Sequence, residues 1–196
     1  GLNILSWLAL KLGRYDEARA ALEESVTLNS SVGDRWGLAF AYRGLGLIAQ
    51  AQGEHIQAVE IFRKSLDMLN ELAARPDVAR LLAEMSRSVF ALGDEAEAER
   101  GWRESLRIAN ETRAAWVALE ALVGIASLKV KREKTEQALE LLLLVLNHPA
   151  SIQETKDRAA RLRAQLEAQL TPLQIESIKV HAGEITLESV VEGLLR

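Results

Sequence analysis

Ala18, Ala58, Ala98 and Ala138 stand forty residues apart, and the same step joins Gly13, Gly53 and Gly93, and again Ser25, Ser65 and Ser105. A fixed period of this length, held in register over four copies, constrains the fold more than any other feature of the chain. It requires one supersecondary unit that cannot bury its own apolar face and therefore stacks on copies of itself.

The second copy shows what that unit is. Asp34 is placed to cap a helix that begins at Arg35 and runs to about Ala51, with Leu38, Tyr42, Leu45 and Ile48 recurring at helical spacing. Gly53 then supplies the left-handed residue that ends a helix. A second helix follows from about His55 to Leu72, carrying Ile56, Val59, Phe62, Leu66 and Leu69 on one side. Two positions contrast small with large down the copies. Ser6, Gly46, Ser86 and Ala126 are small in the first helix, and Ala18, Ala58, Ala98 and Ala138 are small in the second. Four residues after each alanine comes Leu22, Phe62, Trp102 or Leu142. Helices pack at short distance when a knob on one fills a gap on the other, so these sites mark where the two helices of a hairpin meet.

The segments Leu12-Gly13-Arg14-Tyr15-Asp16-Glu17-Ala18 and Leu92-Gly93-Asp94-Glu95-Ala96-Glu97-Ala98 resemble the turn and second-helix start of tetratricopeptide repeats (TPR), and the likeness covers residues 1 to about 149. The fourth copy departs most: Glu133 stands at the turn-glycine position, and Lys129 replaces the apolar Ala9, Ala49 and Val89. A longer or looser turn is expected there. Ordinary units of this family take about 34 residues, so each hairpin here carries roughly six extra, most of a turn per helix. Such long units are similar to the sensor regions of MalT-like and AfsR-like bacterial regulators and STAND-class signalling ATPases.

Beyond the fourth copy, a helix from Ile152 to about Leu170 sets Ala159, Leu162, Leu166 and Leu170 on one side, as a closing helix does. Thr171-Pro172-Leu173-Gln174 reads as a capping box with Pro at the first helical position, and Thr186-Leu187-Glu188 opens a last short helix after a break at Ala182-Gly183. The expected fold is all-α: a right-handed superhelical solenoid of antiparallel helical hairpins, with a capping helix and two short tail helices. Residues 1–149 form four hairpins, the first truncated, and 150–196 the cap and tail. The resemblance implies that this tail closes a long-repeat regulator. The chain opens inside a helix without a cap or initiator Met, as expected of a fragment with N-terminal neighbouring domains.

The residues offer little chemistry. Cysteine is absent, which removes disulfides, thiolate metal sites and cysteine nucleophiles together. His55, His148 and His181 fall in different units without a second ligand at metal spacing, so no metal and no cofactor are expected. Gly44 and Gly46 lie inside a helix and are not followed by the Lys-Ser/Thr of a phosphate loop. A formal charge of −4 argues against direct nucleic-acid binding. The most apolar stretch, Ala138 to Leu146, is too short to span a bilayer and reads as a buried helix. No secretory signal opens the chain, and the expected compartment is the cytoplasm. The chain is read as non-enzymatic.

Binding in such solenoids uses the groove lined by the first helix of each hairpin. The helical stripe facing that way contains Trp7 in the first copy, Trp36, Phe40, Arg43 and Gln50 in the second, Arg80 and Arg87 in the third, and Trp116 and Glu120 in the fourth. Arginines beside aromatics on an acidic protein fit carboxylates, phosphates or an acidic peptide. The same residues could instead plug the junctions between hairpins or pair with neighbouring glutamates. The function expected from the repeats and the resemblance is a sensor or protein-interaction domain of a larger bacterial signal-transduction ATPase or transcription regulator. It would bind an inducer or a protein or peptide partner in its groove. A stand-alone scaffold for protein–protein interaction fits the repeats equally.

Overall fold

In a computed structural model the structure describes Ala9 and residues 12–196, all helix and short connections, with no strand among them. Among the described residues ten helices follow one another: α1 Tyr15–Val32, α2 Arg35–Ala51, α3 His55–Glu71, α4 Arg75–Ala91, α5 Glu95–Glu111, α6 Ala115–Lys131, α7 Thr135–Asn147, α8 Gln153–Glu167, α9 Pro172–Ala182 and α10 Leu187–Leu195. They group into two compact units, the first ending at Asp94 and the second running Glu95–Arg196.

The connections explain the regularity. Gly13, Gly33, Gly53, Ala73, Gly93, Arg113 and Glu133 all have positive φ, one every twenty residues. At each, the next amide reaches back to the carbonyl five residues earlier, as in Glu54 N to Ala49 O at 2.9 Å and Ala74 N to Leu69 O at 3.0 Å. This is the Schellman arrangement, which satisfies the orphan carbonyls at a helix end. A 17-residue helix plus this three-residue turn makes twenty, so the forty-residue period is two such steps. Glu133 adopts φ 58° and Lys134 N reaches Lys129 O at 2.9 Å. The expected longer or looser turn is therefore corrected: the fourth copy turns like the others, with a side chain held in the left-handed region.

In unit 1, α2 packs between α1 and α3, and α3 against α4. Asp34 caps α2 as expected, accepting from Gly37 N at 2.9 Å. The small-to-large contrast has a physical basis here: a Cβ on Gly46 would lie 2.5 Å from the Phe62 ring, and one on Gly44 2.8 Å from Leu22. Phe62 thus fills the gap at a glycine of its own hairpin, and Leu22 the gap at a glycine of the next. The repeated serine is also explained. Ser65 is fully buried and donates to the Ala39 carbonyl at 2.8 Å, so a hydroxyl fits this site without an unmet polar atom.

In unit 2, α6 packs on α5, α7 on α6, and α8 on α7 with contacts to α6. Trp102 lies against Gly124 as Leu22 does against Gly44, one hairpin register shared by two copies. The apolar run is buried from Ala138 to Val145 except at Glu140, within α7. The repeat stops at His148, whose extended backbone precedes Pro149 in place of a left-handed turn. Then come α8, α9 and α10, with the expected break at Ala182-Gly183 between the last two. Thr171 with Gln174 and Thr186 with Ser189 form capping boxes. α9 rests on α7 and α10 on α5.

Candidate interaction surface

The first helices of successive copies in unit 1, α2 and α4, meet through side chains that the repeat brings into register. Arg43 donates from Nε to Glu84 Oε2 at 2.7 Å and from Nη2 to Oε1, a bidentate pair. Arg80 Nε adds a bond to Glu84 Oε1 at 3.1 Å from one turn earlier on the same helix. Gln50 Nε2 donates to the Glu84 carbonyl and to Ser88 Oγ, both at 2.8 Å, and its Oε1 accepts from Arg87 Nη2 at 2.8 Å. Burial alone would raise the Glu84 carboxyl, but the charge and hydrogen bonds of Arg43, with Arg80 and Arg87 beyond, outweigh it and hold the carboxyl down to about 2.

This geometry decides how the anticipated residues can act. Arg43, Gln50, Arg80 and Arg87 are indeed brought together, but around an internal carboxylate. Arg43 is 8% exposed, so it reaches no ligand without leaving Glu84, and the expectation that it faces an open groove is corrected on that ground. Arg80 and Arg87 remain half-buried. Trp36 and Phe40 lie differently. They are 43% and 38% exposed, and their rings stack 5.7 Å apart at 17° on the first turns of α2.

In unit 2 the corresponding helices are α6 and α8. Glu120 is 6% exposed and accepts from Arg158 Nη2 at 3.0 Å. It too is committed to an internal pair, by the same physical logic as Arg43. Trp116 is half-buried. Trp7 lies outside the described residues. Sequence reasoning missed Glu84 and Arg158. Glu84 carried a signal, because it puts a charge at the register where the neighbouring copies have Gly44 and Gly124.

The histidines stand apart, each with its own contact: His55 near Ser88 at 3.4 Å, His148 accepting from Ala150 N at 3.1 Å, and His181 near Glu140 at 3.7 Å. Ser88 beside His55 is fully buried, so no substrate carbonyl reaches its hydroxyl. Among the described residues no three His, Cys, Asp or Glu side chains cluster to hold a metal, and no helix is long and apolar enough to cross a membrane.

Comparison with known proteins agrees with this architecture. The tetratricopeptide repeat family model matches residues 4–71. No curated protein matches the chain. Among solved structures, BtubC (BKLC) from P. vanneervenii superposes with a TM-score of 0.67 at 14% identity, covering 98% of this chain and 80% of that one. The nearly identical TPR-like repeats assigned to a kinesin light chain of Podosopora anserina give 0.61 at 19% identity, covering 98% and 92%. At these identities the likeness establishes the fold: helical hairpins stacked as TPR-like repeats.

Proposed function

We propose that the chain is a non-catalytic protein-interaction domain of the tetratricopeptide type, and that its α2 face grips a peptide or protein segment. The observation that carries this reading is the exposed, stacked pair of Trp36 and Phe40. Large rings left in water on a helix surface, held rigid against each other, are the side chains that dominate binding energy when a partner covers them. The match to tetratricopeptide repeats over residues 4–71 supports it, because that stretch contains α2. Arg80 and Arg87, half-buried on α4, add positive charge on the neighbouring first helix and favour a segment with acidic residues. The occupant is a protein partner, with no direct nucleic acid and no membrane, in keeping with the formal charge of −4.

The finer reading is a cytoplasmic sensor within a larger bacterial signalling ATPase or transcription regulator, responding to an inducer and joined to N-terminal domains. The forty-residue period and the two capped tail helices favour it; a stand-alone scaffold accounts for the repeats alone. A Walker-type phosphate loop encoded upstream of Gly1 would support the sensor, and further repeats alone would favour the scaffold. Selection from a displayed peptide library tests the interaction reading itself. Peptides enriched on the wild type, and no longer enriched on a Trp36→Ala/Phe40→Ala variant of equal melting temperature, support it. Equal enrichment on both removes it.

A further inference from the structure

Unit 2 carries a second feature that does not depend on the α2 face. A cleft of about 130 Å3 lies among α5, the C-terminal end of α6 and α10, lined by Glu99, Arg103, Lys129, Arg132 and Lys134 over an apolar floor that includes Leu194. One water needs about 10–15 Å3 of such space, so the cleft has room for one tetrahedral oxyanion with its immediate attachment. We propose that this cleft is a binding site for a phosphate group.

Four cations face one carboxylate here, on a chain whose net charge is negative. Cations at the end of α6 would also complement its C-terminal carbonyls, and Lys131 and Arg132 serve that purpose while pairing with Glu95 at 3.0 and 3.6 Å. That leaves more positive charge than the helix end needs. Lys134 makes no side-chain hydrogen bond or ion pair among the described residues, and its charge acts on Lys129. Burial, then the charges of Lys134 and Arg103, lower the Lys129 ammonium below the usual lysine value against the opposing pull of Glu99 and Glu140, although Gln137 accepts a bond from it at 2.7 Å. Positive charges that crowd one another in this way are relieved by an anion.

The walls are fixed before any ligand arrives. Glu99 accepts from Arg132 at 2.8 Å and from Arg103 at 3.2 Å, and Arg103 also donates to the Leu194 carbonyl of α10. Guanidinium groups held in place need little further ordering to receive an oxyanion. α7 begins at Thr135 beside the cleft, with no side chain capping its first amides.

The test is thermal unfolding of the whole chain with sodium phosphate exchanged for sodium chloride at constant ionic strength. Phosphate raises the melting temperature of the wild type, and its affinity falls about tenfold or more in Lys129→Gln and in Lys134→Gln. Lys134→Gln, which removes a charge that crowds Lys129, does not lower the melting temperature without phosphate. Arg100→Gln, elsewhere on α5, retains the phosphate effect. A phosphoserine peptide forms a second arm: tighter binding than inorganic phosphate places the group on a partner chain, and equal binding points to the free ion. A chloride effect as large as that of phosphate overturns the proposal, as does a phosphate effect that survives both substitutions.

Discussion

Ala73, Arg113 and Glu133 hold side chains in a backbone region that costs an ordinary residue about 1 kcal/mol or more. Their turns persist because the packing on either side fixes the twenty-residue register. Relieving the strain is predicted to stabilise only modestly, since glycine also gains entropy in the unfolded chain. Glu133→Gly is expected to add about 0.5 kcal/mol, and Gly53→Ala to remove about 1 kcal/mol or somewhat more, both visible in thermal melts. Glu84 acts through charge. Its carboxyl is held at about 2 in the fold against an ordinary value of 4.5. The contribution is complete above the ordinary value and is lost as pH falls from there towards 2. Stability to urea is therefore predicted to decline through that window, and Glu84→Gln to abolish this part of the decline. The same substitution strands a buried Arg43 and costs about 3–5 kcal/mol at neutral pH.

At the scale of helices, the packing turns on glycines under large rings. A methyl on Gly46 would meet the Phe62 ring at 2.5 Å, so Gly46→Ala is predicted to cost about 1–3 kcal/mol. Combining it with Phe62→Leu should recover part of that loss, a coupling that a double-mutant cycle measures. The helices themselves were legible in the sequence. Asp34, Gly53, Thr171 and Thr186 mark their ends, and the small-large contrast marks the Gly46–Phe62 contact within a hairpin, whereas Leu22 and Trp102 meet Gly44 and Gly124 of the next copy instead. The site was less legible. Periodicity shows which side of a helix a residue occupies but not which neighbour meets it there. The stripe through Arg80 and Arg87 leaves out Glu84, although it sits one turn from Arg80. The cleft was equally hidden, since Lys129 registered only as a break in an apolar pattern and its partners lie on three helices.

For the chain as a whole, one helix-and-turn step is repeated until His148 and Pro149 end it, and α8 to α10 then pack on α5, α6 and α7. A framework of this kind spends its chemistry on shape, and its buried ion pairs Arg43–Glu84 and Glu120–Arg158 set register between neighbouring helices. Among the large apolar side chains that remain exposed, Trp36 and Phe40 on α2 are the pair whose rings stack. The central claim is that this pair is where a partner binds. The most direct measurement is the affinity, by calorimetry, of the best library-selected peptide for the wild type and for Trp36→Ala/Phe40→Ala. A loss of about tenfold or more with an unchanged melting temperature is the predicted result. Equal affinities would contradict the account, because the partner would then be held by some other surface.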